Sequence, residues 1–256
     1  MDYRDEASPL WSVFGVLLTL ALWYLVTDGF GLVASLTLPS PSDVVSRFMW
    51  LTGHSYNGTT LLQNIGASLS VVLAGWALGV CVGVPLGVLM GWSERFRGYV
   101  EPIVELLRPI PPPAWIPFAV LWYGIAPGGR IFVIFLAALM PCIINAYGSV
   151  RGRDTILVDA ARCLGASDTR ILTSVVVPTV LPGIFAGVRI AIGAAWMTVV
   201  AAELVASSAG LGYMLVQAQY AVQPGIVLVS MGLIGLIGGV LGFALGMVEK
   251  RLRAWS

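Results

Sequence analysis

Side chains able to do chemistry are sparse in this chain, and their spacing limits what they can do. His54 is the single histidine. No serine, cysteine or acidic partner stands near it in a pattern that would make a nucleophile or a metal site, so it reads as an ordinary surface residue. Cys81, Cys142 and Cys163 lie far apart, which suggests neither a disulfide framework nor a metal cluster. Lys250 is the only lysine, and no Gly-x-x-x-x-Gly-Lys-Ser/Thr phosphate loop surrounds it. No catalytic residue is therefore assigned, and any nucleotide chemistry must come from another chain.

Three groups remain. Glu203 is the only acidic residue within 190–248. An ionised carboxylate in lipid is costly, so it must face the bundle interior, the outer mouth or a cation, as a relay, a packing group or a gate. Arg189 lies fourteen residues earlier, roughly 21 Å along one helix, and is not an obvious partner. Glu101, Glu105 and Arg108 share one helical face, where they can compensate one another. Prolines 109, 111, 112, 113 and 117 follow. Such a broken path is tolerated only against protein or a water-lined cavity, so Glu105, Arg108, Pro112 and Trp115 are candidates for a passage or gate, with a stiff elbow as the alternative.

The third group is a charged island, Arg151-Gly-Arg-Asp-Thr-Ile-Leu-Val-Asp-Ala-Ala-Arg-Cys-Leu-Gly-Ala-Ser-Asp-Thr-Arg170. Asp154 can cap a helix beginning at Thr155, and Gly165 can end it. Ile156, Leu157, Ala160 and Leu164 form an apolar face beside Asp159 and Arg162, and Ser167 or Asp168 can cap the next helix. This segment either docks on a cytoplasmic partner or lies along the headgroups.

The elements that carry these groups are apolar. Hydrophobic residues make up 58% and charged residues 11% of 256, with net charge +1 and mean hydropathy +0.89. Uncharged runs at 64–93, 109–129, 131–150, 171–188 and 204–248, with Leu10–Val26, hold about six helical spans. Period-two alternation is missing, which argues against a β-barrel. Spans near 10–27, 66–91, 101–123, 129–150, 183–205 and 226–248 with both termini inside put Arg4, Arg95, Arg97, Arg151, Arg153, Arg162, Arg170, Lys250, Arg251 and Arg253 on the inner face. Only Arg47 and Arg130 fall outside, the bias expected of a cytoplasmic-in topology. The acidic opening Met1–Glu6 and the lack of a cleavage pattern before Asp28 make Leu10–Val26 a retained span. The expected fold is an all-α polytopic membrane protein forming one domain over 1–256.

Smaller features fit that plan. Leu38-Pro-Ser-Pro-Ser-Asp43 predicts a turn and a short amphipathic helix over 43–50 at the outer surface, as a link or a contact for a periplasmic partner. Gly75, Gly79, Gly83, Gly87 and Gly91 repeat every four residues, making a stripe for close helix packing within a bundle or between copies. Pro85 can bend that helix.

Asp159-Ala-Ala-Arg-Cys-Leu-Gly165, followed by Val175-Val-Val-Pro178, resembles the Glu-Ala-Ala, glycine, Ile-x-Leu-Pro signature of permease subunits in bacterial ATP-binding-cassette importers. Aspartate replaces glutamate at 159, and valines replace the isoleucine and leucine. Leu38–Asp43, Glu105–Pro117, Trp122-Tyr-Gly-Ile125, Ala201–Ala206 and Gly210-Leu-Gly-Tyr213 together resemble the nitrate, sulfonate and taurine subfamily of the binding-protein-dependent transport family. The resemblance implies a type I importer permease whose cytoplasmic coupling helix, within 151–170 between spans four and five, docks on an ATPase through Asp159, Ala160, Ala161, Arg162, Leu164 and Gly165. It further implies a bacterial inner-membrane complex of two copies of this chain, two cytoplasmic ATP-binding subunits that hold ATP and Mg, and a periplasmic or lipid-anchored solute-binding protein. No cofactor or metal is expected on this chain, and no nucleic acid. The expected solute is taurine or another aliphatic sulfonate, with nitrate, an organic acid or a pyrimidine precursor as alternatives. The rival class is an ion-coupled secondary transporter, which would want an inverted repeat that the six-span plan does not show.

Overall fold

The computed structural model describes residues 9–253. Arg4 and the opening Met1–Glu6 lie outside the described residues. The helices are α1 (Pro9–Tyr24), α2 (Pro41–Gly53), α3 (Leu61–Trp92), α4 (Glu94–Leu107), α5 (Ile116–Tyr123), α6 (Pro127–Arg151), α7 (Thr155–Cys163), α8 (Asp168–Ile171), α9 (Val177–Val205), α10 (Leu211–Tyr220) and α11 (Pro224–Arg253).

Local chemistry sets the first starts. Ser40 caps α2 by accepting from the Asp43 amide at 3.2 Å, and Pro41 takes the first helical position, where its missing N–H costs nothing. The helix expected over 43–50 therefore begins two residues earlier. Thr60 and Gln63 form a reciprocal capping box, which starts α3 ahead of the expected 66.

The glycine stripe organises the bundle. A Cβ added at Gly75 would meet Ile134, at Gly79 Ala138, at Gly83 Cys142 and at Gly91 Val150, so α3 lies nearly backbone to backbone against α6. Both numberings rise together along this contact, so α3 and α6 are parallel. The chain between Trp92 and Pro127 must therefore return from one end of the bundle to the other. Helix α9 runs antiparallel to both: Gly187 faces Asn145, Gly183 faces Ser149, and the Trp76 indole donates to the Val188 carbonyl at 3.1 Å. Helix α11 runs antiparallel to α9, since Gly238 abuts Trp196 and Gly246 abuts Arg189.

Four helices among the described residues are long and apolar enough to cross a membrane: Leu61–Trp92, Pro127–Arg151, Asp168–Val205 and Pro224–Arg251. One stretch of the six-span plan folds differently. The stretch expected as a span over 101–123 is not one helix: α4 ends at Leu107, a 3-10 turn covers Pro112–Trp115, and α5 follows. Prolines remove amide donors and push their predecessors out of the α region, which prevents a continuous helix. The first apolar helix, α1, continues without a break into a π turn over Leu25–Gly29. Arg130, counted on the outer side, lies near the start of α6 and is buried, 7% exposed.

A Cβ at position 79 would stand 2.5 Å from the Ala138 Cβ, whereas one at Gly66 meets nothing within 4 Å. Gly79→Ala is expected to destabilise the folded chain by about 1–3 kcal/mol through overpacking, and Gly66→Ala to leave it at least as stable. Melting temperatures of the purified variants check this; equal values for the two would contradict the packing assigned to the stripe.

Candidate functional site

The charged island folds as a compact elbow between α6 and α9. Asp154 caps α7 by accepting from the Ile156 amide at 2.9 Å. Gly165 ends it with φ +77, a left-handed position suited to glycine, and its amide donates to the Arg162 carbonyl at 2.9 Å. Ser167 precedes α8 without a side-chain cap bond. Arg162 reaches both Asp159 at 3.9 Å and Asp168 at 3.6 Å, tying the two short helices together at the surface. Val158 is buried and Ala161 half-buried against a core that includes Val150, Ile171 and Val176. Asp159, Ala160, Arg162 and Gly165 are exposed. Of the expected apolar face, Ile156 and Leu157 are exposed, and Leu164 is 88% exposed.

Arg153 locks the elbow to the spans. Its Nη1 donates to the Val150 carbonyl at 2.6 Å and lies 3.5 Å from the Gly91 carbonyl, at the ends of α6 and α3. Its guanidinium stacks on Trp92 with 5.0 Å to the ring centroid. One cation thus satisfies terminal carbonyls of two parallel helices, which is favourable at helix C-termini.

The broken return borders a cavity of about 230 Å³ between α4, α6 and α9. Arg108, Pro112 and Trp115 line it together with Leu136, Met140 and Pro141. Glu105 sits at its rim through a 3.5 Å pair with Arg108. Glu101 does not join them, because Arg97 takes it at 3.6 Å.

Glu203 lies elsewhere, at the end of the bundle opposite the elbow. It is 1% exposed and accepts from the Ser68 hydroxyl at 2.8 Å and the Gly212 amide at 2.9 Å. Arg130 stands 3.9 Å away and donates to the Ser207 hydroxyl at 2.8 Å. Ser68 also accepts from the Leu211 amide, and Asn64 from the Gly210 amide, so three amides at the start of α10 are held by side chains of α3 and α9. Gly210 has φ +131, and a Cβ there would fall on the Glu203 carboxylate. The carboxylate in turn faces the amide end of α10, where negative charge is favoured.

Sequence reading did not single out Asn64, Ser68 or Arg130 as partners of Glu203, nor Arg153 as a clamp. Polar residues four apart at the start of an apolar run were the available signal for Asn64 and Ser68. Arg189, left unpaired by that reading, meets Glu249 at 3.1 Å. His54 stacks on Trp50, with ring centroids 4.9 Å apart. The described residues hold no group of three or more His, Cys, Asp or Glu side chains placed to bind a metal.

Removing one member of a buried charge pair leaves the other uncompensated, at about 3–5 kcal/mol. Arg130→Ala is therefore expected to lower the melting temperature of the purified protein far more than Arg162→Ala, whose ion pairs are exposed. Similar shifts for the two would argue against the buried cluster.

A family model described as "Binding-protein-dependent transport system inner membrane component" matches residues 83–254. A probable ABC transporter permease protein of Brucella abortus is 42% identical over 234 residues, covering 91% of this chain and 90% of its own. The taurine transport system permease protein TauC of Escherichia coli is 35% identical over 237 residues, covering 92% and 86%. Among solved structures, an inward-facing form of the MetNI methionine ABC transporter superposes with a TM-score of 0.68 at 21% identity, over 80% of this chain and 98% of that one, a likeness of fold. With elbow, apolar spans and sequence relatives in agreement, the chain belongs to the family of inner-membrane components of binding-protein-dependent transport systems.

Proposed function

We propose that this chain is the membrane-spanning subunit of an ATP-driven importer, and that two copies form the pathway for a small anionic solute, taurine or another aliphatic sulfonate. The observation that carries the reading is the elbow: a capped helix that leaves Leu164 and Ile156 exposed while Val158 and Arg153 bind it to the spans. Exposed apolar side chains on a rigid, tethered projection suit a partner's cleft. Family membership supplies the partner's class, a cytoplasmic ATPase that binds ATP and Mg, so this chain hydrolyses nothing itself. The solute class is supported by the 35% identity to the taurine permease.

On this reading Asp159, Ala160, Ala161, Arg162, Leu164 and Gly165 couple to the ATPase, and a solute-binding protein meets the opposite end. Glu105, Arg108, Pro112 and Trp115 border the route, and Glu203 anchors its outer end. The ends of α3, α6 and α11 and the start of α4 fall at the elbow end with Arg95, Arg97, Arg151, Arg153, Lys250 and Arg251, which supports a cytoplasmic elbow and C-terminus. Nucleotide drives transport by binding one arrangement of the assembly better than the other.

Gly165→Val forces a β-branched residue into a left-handed position, and Arg162→Glu sets like charges against Asp159 and Asp168. Both are expected to insert normally while losing at least about tenfold in the solute moved per ATP hydrolysed, measured in vesicles holding the whole complex. Wild-type uptake per ATP in both variants would overturn the coupling role.

A further inference from the structure

The cavity beside Arg108 has a chemistry of its own. Its walls are apolar and rigid: Pro112 and Trp115 from the broken return, Leu136, Met140 and Pro141 from α6. Arg108 is the charged group lining it. The Arg108 and Glu105 side chains are 55% and 63% exposed and 3.5 Å apart, so their pairing is weak and open to competition. The Arg108 cation makes a single 3.5 Å contact with Glu105 and keeps other donors free, so a second anion can be held there by its charge.

We infer that this cavity is a binding site for an organic oxyanion with a short alkyl body, whose sulfonate displaces Glu105 from Arg108 while its carbon chain lies against Pro112, Trp115 and Met140. The inference rests on the importer reading and deepens it by naming where such a solute is held. Nitrate has no apolar part, so the same walls would strip its water and return nothing. An alkanesulfonate uses both halves of the site, burying carbon against the walls and charge against the guanidinium. At about 230 Å³ the space exceeds a single-water void.

The test uses the purified complex of this chain with its ATPase subunits, carrying Met140→Cys in the cavity wall. Alkylation by N-ethylmaleimide is read at position 140 by peptide mass spectrometry, normalised to the same peptide alkylated after denaturation in dodecyl sulfate. Butane-1-sulfonate is expected to slow modification at 140 at least threefold, and sodium nitrate at equal ionic strength to have little effect. Adding Arg108→Gln should remove the protection, and Arg108→Lys should keep most of it. Equal protection by nitrate, protection that survives Arg108→Gln, or no reaction at 140 until the complex is denatured would each overturn the site. In vesicles that also hold the solute-binding protein, ATP-dependent uptake of butane-1-sulfonate should fall at least fivefold in Arg108→Gln and less than twofold in Arg108→Lys. Equal losses in the two would mean shape rather than charge, and would overturn it as well. Wild-type uptake that needs no ATP would remove the importer reading instead and leave the protection result standing.

Discussion

The close, parallel approach of α3 and α6 is the constraint from which the rest of this molecule follows. Glycines at four-residue spacing let the two backbones meet, and a Cβ at any of Gly75, Gly79, Gly83 or Gly91 would collide with α6. Two consecutive long helices that run parallel cannot be joined by a short loop, so the chain must travel back along the bundle between them. That return carries the prolines, and its break makes the cavity at Arg108, Pro112 and Trp115. Irregular backbone at membrane depth is tolerated only against protein or a water-lined cavity; here α6 and α9 contact the Pro112–Trp115 turn on one side, while Pro109, Pro111 and Pro113 stay exposed.

The same pairing puts the starts of α3 and α6 at one end and their finishes at the other, and a polar cluster ties each end. At the elbow, Arg153 bonds the Val150 carbonyl of α6 and approaches the Gly91 carbonyl of α3. At the opposite end, Asn64 and Ser68 from α3, Arg130 from α6 and Glu203 from α9 enclose the first amides of α10. Buried charge is costly in itself, so such clusters stabilise only when nearly every donor and acceptor is used. Glu203 meets that condition with Ser68, Gly212 and Arg130 around it.

What was legible in the sequence is what one helix carries alone. The stripe from Gly75 to Gly91 reads directly because a four-residue repeat names one face. The elbow reads well because Asp154 and Gly165 act on backbone only a few residues away. The break after Arg108 is visible in its prolines, yet span length alone still marks one crossing over 101–123, because it counts residues and ignores missing amide donors. The Glu203 cluster was not legible. Its carboxylate had to face the interior or a cation, but Ser68 lies 135 residues away along the chain, and only the antiparallel packing of α3 and α9 brings them together. The burial of Arg130 is hidden for the same reason: it stands at the outer end of its own span, and only the arrival of α9 brings Glu203 and Ser207 beside it.

On the proposed function, these two clusters also decide how force can travel. A push on α7 passes through buried Val158 to Val150, Ile171 and Val176, and Arg153 shares the load with the end of α3. Close-packed helices do not stretch, so α3, α6 and α9 receive the push as one body. The Glu203 cluster carries that body through to α10 at the other end of the bundle. The return through α4 and α5 is different, because its proline break interrupts the ladder that would make it a strut. Relative movement should therefore concentrate between the tied helices and the broken return, which is where the Arg108 cavity lies. A solute held there would feel the motion of the cycle without any residue of the site touching the elbow.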